Sequence, residues 1–183
     1  DILSVELNDV LLKVGDFIHV SGNLSYSTVG DTEMTLTDKT TRTMSGQVIG
    51  ASNVNVFAGS GPYFQDSNGD GTIDNTDDRV PGATGLAFEG IDIAVALFKP
   101  TTGSSSTYTA VSAQADAVIP VGFSSEIADF EMSDLRIEYN SGGSSATAPV
   151  INFAELESGS FTVSLGGGNS VNFDFSARLI RVS

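Results

Sequence analysis

The chain has 183 residues, with 23 Asp+Glu against 8 Lys+Arg, a net charge of −15 and no Cys. That balance repels nucleic acid and anionic membrane and attracts divalent cations, while the missing thiols exclude disulfides and thiolate metal sites. No run of about 18 apolar residues offers a membrane-spanning helix, so membrane insertion by helices is not expected, and 40% hydrophobic residues suffice for a folded core.

Charged residues make up only 17% of the chain, and its length suits one β-rich module over 1–183. It opens at Asp1 without a Met, a basic region or an apolar leader, which fits a mature product or an excised piece.

Alternation with period two dominates the apolar pattern. Strands are expected at ILSVEL (2–7), DFIHVSGNLSYS (16–27), TEMTLT (32–37), TMSGQVIG (43–50) and SNVNVFAG (52–59). GIDIAVALF (90–98) sets Ile91, Ile93, Val95 and Leu97 on one side. Its other side (Asp92, Ala94, Ala96, Phe98) turns apolar along the run, which predicts burial on both faces there. STYTAVSAQADAVIPV (106–121) and FEMSDLRIEYN (130–140) follow, separated by PVGFSSEIADFEM (120–132), where Ser124 or Ser125 could cap a short helix. APVINFA (148–154), SFTVSLG (160–166) and SVNFDFSARLIRVS (170–183) complete the set; the last aligns Val171, Phe173, Phe175, Ala177 and Leu179. Thr, Ser, Val, Ile and Phe fill these runs, as pleated surfaces favour, and Gly/Asn/Asp clusters such as TVGDT, AGSGP and LGGGNS punctuate them. Several runs reach about 10 to 14 residues, or roughly 35–45 Å, so the expected fold is all-β and elongated. An antiparallel β-sandwich or a β-roll or solenoid-like module with little helix would satisfy the pattern.

Between the fifth and sixth runs lies DSNGDGTIDNTDD (66–78). Counted from Asp66, oxygen-bearing side chains fall at positions 1 (Asp66), 3 (Asn68), 5 (Asp70), 9 (Asp74) and 12 (Asp77), with Gly71 at 6 and Thr72 at 7. This is the D-x-[DN]-x-[DN]-G calcium-loop spacing, with Asp in place of the usual closing Glu. Alternate residues of a tight turn aim at one ion, the glycine permits the reversal, and the Thr72 carbonyl adds an oxygen. Ile73 is expected to enter the core and anchor the loop. The competing view is a solvated acidic turn, but five clustered oxygens would repel one another without a cation. The expected ligands are Asp66, Asn68, Asp70, Thr72, Asp74 and Asp77, and the ion is Ca²⁺ in a structural role. Mg²⁺ suits the set less well, because it dehydrates reluctantly.

Catalytic signals are weak. Cys chemistry is impossible, and His19, the sole histidine, alternates with Ile18 and Val20 as a strand residue would. No G-x-S-x-G elbow or phosphate loop occurs. Glu126, Asp129, Glu131 and Asp134 form the densest carboxylate group. Sugar cleavage would need aromatic platforms, and the chain has no Trp and four Tyr.

The loop resembles the calcium loops of EF-hands and dockerins, although its flanks, VFAGSGPYF and RVPGATGLAFEG, are not helical in pattern. More widely, VGDFIHVSGNLSYS, VNVFAGSGPYFQDSNGDGTID, ATGLAFEGIDIAVALFKPTT, TYTAVSAQADAVIPVG, INFAELESGSFTVSLGGG and VNFDFSARLIRVS resemble a module repeated in very large bacterial calcium-dependent surface or secreted proteins of the RTX and adhesin type. The resemblance implies an extracellular, non-enzymatic all-β unit. The chain ends also read as though one unit continued into the next. Copies of the chain, or adjacent modules joined through strand edges, are the expected partners. The alternative is a carbohydrate-binding or carbohydrate-cleaving domain contacting surface glycans, for which exposed Tyr26, Tyr63, Tyr108 or Tyr139 would provide the platform.

Overall fold

The computed structural model describes residues 3–14, 18–73, 76–103, 106–123, 132–143 and 145–183. Its strands are β1 (Ser4–Val14), β2 (Ile18–Thr35), β3 (Thr41–Ser60), the two-residue β4 (Phe64–Gln65) and β5 (Asp78–Arg79), β6 (Thr84–Pro100), β7 (Tyr108–Val121) and β8 (Met132–Gly142). A 3₁₀ turn at Phe153–Glu155 precedes β9 (Phe161–Gly166), β10 (Asn169–Phe173) and β11 (Leu179–Val182). Seven of these form one sheet in the order β1-β2-β3-β6-β7-β8-β11, antiparallel throughout. The β9–β10 hairpin lies across one face as a partial second layer. The all-β, long-stranded expectation holds, and the sheet is an open meander rather than a coil. Among the described residues no helix is long and apolar enough to cross a membrane.

Strands run longer than their sequence patterns suggested. TVGDT is no turn: β2 continues through it with a register shift between Val29 and Thr32. TMSGQVIG and SNVNVFAG are both parts of the 20-residue β3, which at about 3.3 Å per residue spans roughly 65 Å when extended. Conversely, 170–183 is broken into β10 and β11, with Phe175 buried and Ala177 exposed between them. In 148–154, only Ile151 pairs, as an isolated bridge to Leu36. The expected helix at 120–132 falls mainly on 124–131, outside the described residues.

A row of irregularities crosses the sheet at one level. Asp9 (φ 54), Asn53 (φ 50), Gly90 (φ 61) and Asp134 (φ 55) are left-handed, a conformation Asp, Asn and Gly tolerate best. Neighbouring Asx side chains hold the bulged backbone: Asp9 N donates to Asn23 Oδ1 (3.0 Å), Asn53 N to Asp92 Oδ1 (2.9 Å) and Gly90 N to Asn55 Oδ1 (3.1 Å).

On the covered face, two cores sit on either side of this row. The larger gathers Met34, Met44, Val48, Ala94, Ala96 and Phe98 from the sheet under Ile151, Phe153, Val163, Leu165, Phe173 and Phe175. Phe153 is its hub, with ring centroids 5.7–6.3 Å from Phe98, Phe161, Phe173 and Phe175. The hairpin touches the sheet backbone closely: a Cβ on Gly50 would stand 2.0 Å from the Ser164 carbonyl oxygen. Ser52 Oγ donates to Gly166 O (2.9 Å), and buried Asn140 Nδ2 donates to Ile151 O and Ala177 O (both 2.9 Å). The smaller core (Phe57, Tyr63, Phe64, Ala83 and Ala87) lies beyond the bulges.

The opposite face presents register ladders. One runs Val5, Tyr26, Ile49, Val95, Val111, Tyr139, Ile180; the next runs Leu7, Leu24, Ala51, Ile93, Ala113, Ile137, Val182. The two-sided apolar pattern of 90–98 is thus resolved: Ala94, Ala96 and Phe98 are fully buried, and Ile93, Val95 and Leu97 line the other face, only partly buried.

Candidate metal centre

The segment between β3 and β6 leaves the sheet after Ser60 and returns at Thr84. Its base is clasped by β4 and β5, where Phe64 pairs with Arg79 and Gln65 with Asp78. Aromatic packing ties the clasp down: Phe57 and Tyr63 stack at 5.0 Å and 9°, and Tyr63 meets Phe64 at 4.5 Å. Arg79 lies 5.7 Å from the Tyr63 ring centroid and pairs with both Glu89 oxygens at 3.0 and 3.1 Å. The Tyr63 hydroxyl donates to Glu89 Oε1. Burial, reinforced by that bond to a carboxylate, pushes the phenol well above its usual value of 10. Ile73 packs against this core as its place in the loop foretold.

Within the loop, oxygen-bearing side chains turn back on their own backbone. Asp66 accepts from Gly69 N (2.7 Å) and Gly71 N (3.2 Å), joining position 1 to position 6. Asn68 Oδ1 accepts from Asp70 N (2.9 Å) and Asp70 Oδ1 from Thr72 N (2.7 Å). Gly69 (φ 77) and Gly71 (φ 84) take the reversals that a side chain would strain. Asp77, buried to 7% exposure, accepts at Oδ1 from Ser67 N (3.0 Å) and Asn68 N (3.4 Å). Asp78 N donates to Ser67 Oγ (2.8 Å), closing the ring of bonds between the two ends.

Of the expected ligands, Asp66, Asn68 and Asp70 are exposed on one short arc, Thr72 is half-buried beside Ile73, and Asp77 sits beneath. Asp74 lies outside the described residues. Among the described residues no group of three or more acidic or histidine side chains gathers as a metal site; the set proposed from sequence draws also on an amide and a main-chain carbonyl. Its donors are all hard oxygens, the chemistry of Ca²⁺ rather than of zinc or copper.

Elsewhere, His19 stands on the covered face opposite Lys13 and Phe57, its ring 6.4 Å from that of Phe57. It lines a cavity of about 20 Å³ with Leu11, Tyr63 and Ile73, room for a water molecule and no substrate. Of the carboxylate group, Glu126, Asp129 and Glu131 lie outside the described residues, and Asp134 occupies a bulge. Tyr63 and Tyr108 are buried (3% and 4% exposed). Tyr26 and Tyr139 are half-buried, four strands apart on the open face, about 19 Å at ordinary strand spacing. Sequence reasoning missed the Tyr63–Arg79–Glu89 anchor; the PYF before the loop was its only trace.

Compared with protein-family models, curated proteins and solved structures, the chain finds no match in any of the three.

Proposed function

We propose that the chain is a non-enzymatic, calcium-stabilised structural module of an extracellular surface or filament-forming protein, related in kind to the repeated units of large calcium-dependent adhesins. The observation that carries this reading is the 66–77 loop. Its position-1 carboxylate is bonded to the position-6 glycine amide, and Ile73 fastens it to the Tyr63 core. Ca²⁺ bound by Asp66, Asn68, Asp70, the Thr72 carbonyl, Asp74 and Asp77 would offset the repulsion of carboxylates in a chain of charge −15. Stiffening the loop would then stiffen the sheet end to which it is fastened. The long sheet suits a spacer, and its ends suit assembly. β1 and β11 are its outermost strands, and β1 has one Lys and no Pro to guard it against β-augmentation.

The sugar-binding alternative gains little, since two of the four tyrosines are buried and the other two stand far apart. Melting followed in EDTA and in millimolar Ca²⁺ tests the metal. The expected result is a rise with Ca²⁺ that Asp70→Ala abolishes; equal melting in both buffers, or an unaltered response in Asp70→Ala, would defeat it. Deleting 1–8 or 176–183 tests the edges. Assembly through strand edges should be lost while the chain stays soluble, and edge-built assembly unchanged by either deletion rules edge pairing out.

A further inference from the structure

The sheet face turned away from the hairpin and the calcium loop has no cover among the described residues, and its composition is unlike a solvated surface. From the Leu12–Val20–Val56–Phe88–Val118–Met132 ladder to the Thr28–Gln47–Leu97–Thr109–Ser141 ladder, and apart from Asp9, Asp116 and Asp134 at the level of the bulges, its outward positions contain no Asp, Glu, Lys, Arg or His. Water-facing surfaces carry charges at about a quarter or more of their positions, and this chain has 23 acids and 8 bases to place. Those among the described residues lie on the covered face, at the bulges, in the loops and at the rims. Meanwhile Ile49 (45%), Leu7 (52%), Leu12 (55%) and Ile180 (79%) stand in the open.

Size matters as much as chemistry. Seven strands at about 4.8 Å spacing and some ten residues of strand at about 3.3 Å give roughly 29 by 33 Å, or about 900 Å². The largest apolar patch of a typical monomer is about 300–600 Å². Two such faces together bury roughly 1,800 Å², within the range of specific stable interfaces.

We propose that this face seats a second copy of the chain, ladder against ladder about a two-fold axis, so that two open sheets become the inner layers of one β-sandwich. A two-fold contact needs a self-complementary patch, and a charge-poor, ladder-built sheet face meets that need in aligned packing. Stacking leaves both hairpins, both calcium loops and nearly all the charge on the outside, where the copies' like charges are farthest apart. An anionic lipid surface is the wrong occupant for a chain of charge −15. The proposal extends the structural-module reading above, which joins copies at strand edges, by giving them a face as well.

The test is sedimentation equilibrium of the full chain in Ca²⁺-containing buffer, with Ile49→Glu, Val111→Glu and the 176–183 deletion alongside. The wild-type chain should be a dimer at micromolar concentration. Each Glu variant, checked for retained β circular dichroism, should weaken the dimer by on the order of a hundredfold or more, because a carboxylate would be buried in an apolar interface. The deletion takes Ile180 and Val182 from one rim of the face, so it should weaken the face dimer far less than either Glu variant while removing the larger assemblies. A wild-type monomer at 100-fold higher concentration (on the order of 100 μM, far above an obligate-dimer Kd) overturns the proposal, with no variant needed. So does a dimer that survives both Glu variants; if that dimer is lost on deleting 176–183, the edge reading stands alone. Capture of the monomer by neutral phosphatidylcholine vesicles, with no dimer in their absence, would assign the face to lipid instead and equally overturn it.

Discussion

Asp77 separates the two roles a loop carboxylate can play. Its Oδ1 receives main-chain N–H groups of Ser67 at 3.0 Å and Asn68 at 3.4 Å from a buried position. Asp77→Ala removes the acceptor of one good charge-assisted hydrogen bond and of marginal ones from Asn68 N and Ser67 Oγ (both 3.4 Å), a loss of about 2–3 kcal/mol. In a chain of this size that is a fall of about 5–10 °C in melting temperature, already present in EDTA. Asp77→Asn keeps an acceptor oxygen in place and should melt in EDTA within about 1 kcal/mol of wild type. With Ca²⁺ at ten times its Kd, the wild-type chain gains about 1.4 kcal/mol, about 3–5 °C, and both variants should lose that gain. Differential scanning calorimetry in paired buffers reads all six values. If Asp77→Asn responds to Ca²⁺ as wild type does, Asp77 is not a ligand. If Asp77→Ala is unaffected in EDTA, the hydrogen bonds to Ser67 and Asn68 contribute nothing.

Phe153→Ala, at the fully buried hub of the larger core, should cost about 3–5 kcal/mol in urea unfolding. Phe123→Ala, at a 45% exposed ring, should stay within about 0.5 kcal/mol, and equal effects would contradict the core assignment. Gly50→Ala drives a methyl into the Ser164 carbonyl and should cost about 2 kcal/mol or more, since the obstacle is backbone; a neutral result would mean the hairpin does not sit so close. Tyr63 keeps its proton in the folded state at pH values where the unfolded chain, with its phenol near 10, has released it. Its contribution is therefore complete below pH 10 and is lost as pH rises above that value. Tyr63→Phe should flatten the alkaline decline in stability; an identical slope would count against the buried Tyr63–Glu89 bond. In hydrogen exchange, withdrawal of Ca²⁺ should expose amides around residues 54–60 of β3 more than those at 44–50, because only the former lie under the loop; uniform exposure would show that the loop does not act locally.

The features legible in sequence are those that repeat locally. Alternation gave the strands their positions, and the Asp66–Asp77 spacing placed the reversal at Gly71 and the inward Ile73 correctly, though not the second reversal at Gly69. What failed was punctuation. Gly30 and Asp31 in TVGDT read as a turn, but Gly and Asp serve a bulge as readily as a hairpin, and only the partner strand decides. APVINFA alternates like a strand, yet Asn152 N is held by the Thr35 carbonyl at 2.8 Å and the chain then tightens into a 3₁₀ turn beneath the hairpin. The Tyr63–Arg79–Glu89 anchor joins residues 10 to 26 apart, with no local period to announce it.

The row of left-handed residues explains how one sheet can carry both a long body and the acidic 66–77 loop. Each bulge adds a residue to its strand, so the side-chain parity of β3 and β6 resets between the two cores, and Phe57 and Ala87 come to face the same side as Val48 and Ala94. Without the reset, the apolar residues beyond Asn53 and Gly90 would point away from the loop, and Ile73 would find no core to enter. Asp9 and Asn53 line the gap next to Thr72 and Ile73, so the bulges that reset parity also border the 66–77 loop. The same reset keeps Val56 and Phe88 in line with the ladders below them on the charge-poor face. One set of Asp, Asn and Gly residues thus holds the loop over its core and keeps the opposite face continuous enough to receive a second sheet.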